Sequence, residues 1–203
     1  MTTLDDAPTT PDGSPPSTGG GGPRRIAPWI ALALAIVLVG LFVVLATAGG
    51  DDDSSADSPL LGQPAPEATG TLDDGTPFDL ARRKGSWVVL NFFTADCIPC
   101  IQEHPDLVEF VEQQEALGGD GAEFYSVVVN DTVGDVEEFF AERGGDWPKI
   151  YSEHGEFAVA FGVAAVPETW IVDPNGIVRV RIISKVTAED LSVTLQQLRE
   201  GAA

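Results

Sequence analysis

The two cysteines of this chain stand three positions apart, in Cys97-Ile98-Pro99-Cys100. The run before them, Trp87 to Phe93, is apolar and β-branched apart from Asn91, which predicts a strand buried on both faces. The run after them carries apolar residues at Ile101, Leu107, Val108, Val111 and Leu117 and stops at Gly118-Gly119. That spacing predicts a helix from Cys97 to Leu117, with Pro105 expected to kink it. A thiol at the junction of strand and helix faces unpaired backbone N–H groups and the positive end of the helix dipole, both of which favour the thiolate. Cys97, at the exposed end, therefore reads as the nucleophile. Cys100, one turn further in, can attack a mixed disulfide from within the chain. Pro99 suits a first turn, where its missing N–H is not needed.

Other uses of the pair need weighing. A zinc site could take Cys97, Cys100 and His104, but there is no second Cys-x-x-Cys and only one further histidine, His154. A copper site would use the same three residues without thioether help, because the single Met is at position 1. A purely structural disulfide would close a very short loop and remove little unfolded-state entropy. Redox exchange uses the placement of the pair best, and it needs neither metal nor cofactor. His104 and His154 otherwise read as surface or capping histidines.

The pair must be held by a folded frame, and the remaining pattern supplies one. Leu72-Asp73-Asp74-Gly75-Thr76 signals a hairpin turn between short extended pieces. Phe124 to Val129 predicts a second buried strand, Val133 to Arg143 a second helix, and Glu156 to Phe161 a short third one. Thr169 to Val172 and Ile177 to Ile183, joined through Asp173-Pro174-Asn175-Gly176, read as an antiparallel hairpin. Thr187 followed by Asp190 resembles a capping box opening a last helix through Leu198. Strands alternating with helices and closing in a hairpin predict one α/β domain with a mixed sheet.

The whole chain has 203 residues, with 11 Lys plus Arg against 32 Asp plus Glu and a net charge of −21. Such acidity excludes nucleic acid as a partner. The charge is unevenly spread. Residues 1–25 are nearly free of large hydrophobes and read as a disordered tail. Ile26 to Ala48 is 23 residues without a charge, enough at about 1.5 Å per residue to cross the hydrocarbon core of a bilayer. Arg24 and Arg25 precede it and Asp51-Asp52-Asp53 follow it, which orients the tail to the cytoplasm and the remainder outside. Ala46-Thr47-Ala48 looks like a signal-peptidase site, but the apolar run exceeds the roughly 7–15 residues of a signal peptide, so a retained anchor is expected. Residues 49–63 read as an acidic linker, and 64–203 as the globular domain.

Taken together, the residues resemble a known group. Leu61-Gly62-Gln63-Pro64-Ala65-Pro66, Phe78-Asp79-Leu80, Lys84-Gly85-Ser86, the strand ending in Phe93 and the CIPC motif look like the membrane-anchored thioredoxin-like proteins of the TlpA/ResA/CcmG group, DsbE-like in character. Phe161-Gly162-Val163, Val166-Pro167-Glu168-Thr169-Trp170-Ile171-Val172-Asp173 and Asn175-Gly176 agree. Gln102-Glu103-His104-Pro105 and Pro167-Glu168-Thr169 lean toward the CcmG branch.

The resemblance implies a thioredoxin fold with an N-terminal β-hairpin extension, preceded by one transmembrane helix. It implies a redox disulfide between Cys97 and Cys100, and a cis-proline at Pro167 that with Val166 docks an extended substrate segment. It further implies a carboxylate at Glu103 that exchanges protons with Cys100, in place of the buried acid that thioredoxin carries where Asn91 stands here. Glu168 is expected to face the same groove. Asp96 departs from the group, which usually has Trp before the first cysteine, and a negative charge there should disfavour the Cys97 thiolate. The resemblance favours a thiol-disulfide reductant serving cytochrome c maturation, acting on apocytochrome c thiols and recharged by a membrane electron donor of the CcdA type. Two rivals use the same cysteines, a copper chaperone and a disulfide-donating oxidase.

Overall fold

The computed structural model describes residues 27–48 and 56–201. These fall into two units. The first is helix α1, Ala27–Ala48, whose 22 residues carry no charged side chain. Its side chains are described only over 28–42, and among the described residues no helix is long and apolar enough to cross a membrane. The tail read over 1–25 and the first part of the linker, 49–55, lie outside the described residues.

The second unit holds a seven-stranded mixed sheet. Its strands are β1 (Thr69–Leu72), β2 (Pro77–Asp79), β3 (Val88–Phe93), β4 (Glu123–Val128), β5 (Lys149–Tyr151), β6 (Glu168–Val172) and β7 (Val178–Ile183), in spatial order β2-β1-β5-β4-β3-β6-β7. β3 and β4 run parallel, as do β4 and β5, while β6 lies antiparallel to β3. The expected N-terminal hairpin is β1–β2, and it joins the sheet through β5. β5 itself has no counterpart in the sequence reading. Only Ile150 in it is fully buried, and three residues are too few to show a period.

Side-chain alternation divides the core in two. Val89 and Phe93 face a cluster with Leu107 and Phe110 of α2 (Ile98–Ala116), Val136 and Phe139 of α3 (Val133–Arg143), and Leu191 and Leu195 of α5 (Ala188–Gly201). Val88, Leu90 and Phe92 face the other cluster, with Phe157 and Phe161 of α4 (Glu156–Phe161) and Trp170. Every β3 side chain is therefore buried, as its continuous apolar run predicts. Pro105 sits inside α2 without ending it. The Thr187 cap forms as expected, its hydroxyl oxygen accepting from Asp190 N at 3.1 Å.

The linker boundary needs correction. Residues 56–63 are not a free spacer but run along the outer edge of β7. Ala56 N donates to Arg181 O at 2.9 Å, Gly62 N to Val178 O at 2.8 Å, and Val178 N to Gln63 O at 2.9 Å. Leu60 and Leu61 pack on the core beneath. The strap satisfies backbone groups of an otherwise open sheet edge. Polar composition hid this, because the segment's hydrogen bonds are made by its backbone.

Candidate active site

β3 delivers the chain to the site at its C-terminal end. Thr94 to Asp96 form a turn, and Cys97 becomes the N-cap of α2 with φ −75° and ψ 111°. Cys97 and Cys100 form a disulfide with Cα atoms 5.2 Å apart. Cys97 is half-buried and Cys100 only 3% exposed, so the outer sulfur is the one an incoming sulfur can reach. Cys97 Sγ accepts from Cys100 N at 3.1 Å, the contact through which a helix N-terminus stabilises a thiolate. Sγ also lies 3.7 Å from the Val166 carbonyl oxygen, and the Val166–Pro167 bond is cis. The Val166 carbonyl, next to the cis bond to Pro167, thus lies beside the disulfide.

Glu103 lies three residues beyond Cys100 on the buried side of α2 and is 1% exposed. Asn91 Nδ2 donates to its Oε1 at 2.9 Å, and Val186 N donates to its Oε2 at 3.1 Å. Burial raises the Glu103 pKa to about 7, against these two donors, which lower it; nearby Asp106 pushes it up and Lys185 down. A carboxyl that gains and loses a proton near neutrality suits a donor and acceptor of protons.

Asp96 is exposed at the rim, where its carboxylate accepts from Thr94 Oγ1 at 3.1 Å. It borders a cleft of about 430 Å³ lined also by Asp131, Asp135, Glu138, Glu142 and Arg143. The disulfide therefore has an acidic neighbourhood on the α3 side, which opposes what the helix N-terminus does for a thiolate.

Two expectations need correction. Glu168 does not face the groove. It pairs with Phe92 across β3–β6, and so lies on the opposite face of the sheet from Asn91 and Thr169. There its carboxylate accepts from Arg181 Nε at 2.9 Å, Arg181 Nη2 at 3.1 Å and Trp170 Nε1 at 2.6 Å. The period of two along β6 sends Glu168 to one face and Thr169 to the other. His104, expected at the surface or as a cap, is not at the surface but caps the end of α3. It is buried against Phe139, Phe140 and Trp147, and its Nε2–H points to Gly144 O at 2.9 Å. Burial lowers its pKa. It is turned to the end of α3 rather than joined to the cysteines, and among the described residues no group of three His, Cys, Asp or Glu is placed to hold a metal ion.

Sequence reasoning missed Thr94 and Asp131. Asp131 Oδ2 accepts from Thr94 Oγ1 at 2.9 Å and from Ala95 N at 2.6 Å, so it grips the turn before Cys97. No local signal points to it: β3 and β4 are parallel neighbours in the sheet, and only that pairing brings the residues just past their C-terminal ends side by side.

The chain is similar to known proteins. Residues 61–181 match the AhpC/TSA family. The chain is 31% identical over 158 residues to the thiol:disulfide interchange protein HelX of Rhodobacter capsulatus, covering 75% of this chain and 85% of that one. It is 28% identical to the thiol-disulfide oxidoreductase ResA of Geobacillus thermodenitrificans, covering 68% and 78%. Among solved structures, a DsbF homologue from Corynebacterium diphtheriae superposes with a TM-score of 0.60 at 27% identity, over 73% of this chain and 94% of that one. A thioredoxin-family thiol:disulfide interchange protein from Chlorobium tepidum gives 0.58 at 27% identity, over 70% and 98%. With its thioredoxin-like α/β fold and its Cys97–Cys100 disulfide, this thiol-disulfide oxidoreductase belongs to the AhpC/TSA family.

Proposed function

We propose that the chain is a membrane-tethered reductant of protein disulfides outside the cytoplasm, serving cytochrome c maturation. The observation that carries the redox chemistry is a disulfide capping α2, its outer sulfur within reach and its inner one buried on the same helix as a carboxyl titrating near 7. In the reducing direction the Cys97 thiolate attacks a substrate disulfide. A Cys97–substrate bond forms, and the displaced substrate sulfur leaves as a thiolate and takes a proton. Glu103 accepts the proton of Cys100, whose thiolate attacks Cys97 Sγ. The second substrate sulfur leaves, and Cys97–Cys100 closes with two electrons transferred. A membrane donor of the CcdA type returns two electrons and two protons. Val166 and Pro167 hold the substrate strand over Cys97 during both attacks.

Tethering rests on the uncharged run 26–48 between Arg24-Arg25 and the aspartates at 51–53. The resemblance to the CcmG branch supports apocytochrome c as the substrate. Against the copper-chaperone rival, His104 turns its Nε2–H to Gly144 O, and among the described residues no group of three His, Cys, Asp or Glu is placed to hold a metal ion.

The deciding measurement is the reduction potential of the full chain in detergent, equilibrated in dithiothreitol or glutathione buffers with thiol trapping. A value at or below that of thioredoxin, roughly −270 mV, supports the reductant. A value near roughly −120 mV makes the chain a disulfide donor instead. Protease digestion of the domain in intact spheroplasts tests the orientation, and full protection overturns it.

A further inference from the structure

Cys97 is the last residue of a short turn, and the polar groups of that turn are held from another element. Cys97 N donates to Thr94 O at 3.3 Å within the turn. Thr94 Oγ1 and Ala95 N both donate to one oxygen of Asp131, at 2.9 and 2.6 Å, while Thr132 N donates to the other at 2.8 Å. Asp131 lies in the connection from β4 to α3, directly after Asn130, whose φ is 51°. The single Thr94 hydroxyl proton is shared with Asp96 Oδ1 at 3.1 Å, so Ala95 N is the donor that Asp131 holds without competition. A carboxylate that accepts from a backbone N–H two residues before the nucleophile fixes where the N-cap sits.

We infer that Asp131 is a positioning residue for the oxidoreductase reaction, pinning the Thr94–Asp96 turn so that Cys97 Sγ stays aligned with the N–H groups opening α2. It acts through the turn.

The direction in which the Cys97 pKa moves on removing Asp131 separates pinning from simple charge. Asp131 is an anion near the site, together with Asp96 on the turn, Asp135, Glu138 and Glu142 opposed by Arg143 on α3, and buried Glu103 on α2. If Asp131 acted only through its charge, removing it would lower the Cys97 pKa. If it acts by pinning, loosening the turn takes Sγ away from the helix N-terminus and raises that pKa.

The test is the pH dependence of Cys97 alkylation in the full chain in detergent, comparing Asp131→Ala with Asp131→Asn. The asparagine keeps an acceptor oxygen and loses the charge. The expected result is a pKa about one unit higher in Asp131→Ala, a roughly tenfold slower alkylation below it, and recovery of most of that loss in Asp131→Asn. An equal change in both variants, in either direction, overturns the inference, as does no change in either. Should Asp131→Ala fail to fold, Thr94→Val deletes one bond of the pin with the Asp131 charge in place. It should raise the pKa by a smaller amount, and an unchanged value overturns the inference.

Discussion

Asn91 and Glu103 meet through a 2.9 Å hydrogen bond in the middle of the core, and each is 1% exposed. The same Asn91 nitrogen reaches Thr169 Oγ1 at 3.2 Å, two residues past Pro167. One amide thus ties β3 to α2, the helix of Cys100, and to the strand after the cis-proline. An amide at this position cannot titrate, which leaves Glu103 as the ionisable group beneath the cysteines.

Glu103 should therefore set the pH dependence of the resolving step. With its pKa raised to about 7, the carboxylate population rises through the physiological range. Glu103→Gln should slow release of a Cys97-linked substrate by about 10²-fold near pH 7.5 and flatten the profile between roughly pH 6 and 8. Stopped-flow kinetics of the mixed disulfide would measure it. A profile unchanged from that of the wild type would remove Glu103 from the mechanism.

The same shift makes a statement about stability. A carboxyl whose folded pKa lies above its unfolded value of 4.5 binds a proton more tightly in the fold. The oxidised protein should lose stability as pH rises from about 4.5 to about 7 and beyond, at up to about 1.4 kcal/mol per unit, a few kcal/mol in all. His104 acts in the opposite sense: burial depresses its pKa from 6.5, so its contribution is lost as pH falls below that value. The difference between wild type and Glu103→Gln in denaturant melts at several pH values isolates the glutamate. It should slope as stated, and a flat difference would refute the shift.

The elements framing the disulfide were legible because each has a strong local signal. β3 is one apolar run, α2 begins at a thiol cap, and Thr187 binds Asp190 as its spacing predicts. What was not legible depends on pairing across the chain. β5 exists because β1 and β4 flank it, and residues 56–63 are ordered by the edge of β7. The destination of Glu168 follows from which face Phe92 takes, and that of Asp131 from β4 lying parallel to β3. None of these relationships is visible within a window of ten residues.

Glu168 offers a test of that reassignment. Its carboxylate is 2% exposed and paired with Arg181, whose guanidinium also lies over Trp170. Arg181→Leu leaves a buried charge without its partner and should destabilise the fold by about 3–5 kcal/mol. Adding Glu168→Leu should restore most of that loss, because neither charge is then buried alone. The reduction potential of the double variant should match the wild type, since the pair lies on the face of the sheet away from the disulfide. Urea melts and thiol-trapping titrations supply both values, and a shifted potential would return Glu168 to the groove.

Asp96 stands directly before Cys97, and its effect on the thiolate should be electrostatic. Its exposed carboxylate adds to the acidic lining that already includes Asp131 and Asp135. Asp96→Trp removes one of these charges and leaves the Thr94 hydroxyl proton wholly to Asp131, so the turn is held at least as firmly. The Cys97 thiolate pKa should fall in the variant, by less than about one unit because water screens an exposed charge. Salt separates the causes. At about 1 M the screening length shrinks to about 3 Å, and the difference between the two proteins should largely close. Thiolate absorbance titrated at low and high salt reads both quantities. Equal pKa values at low salt would show that Asp96 does not tune the nucleophile, and a difference that survives high salt would assign it to the packing of the indole rather than to the lost charge.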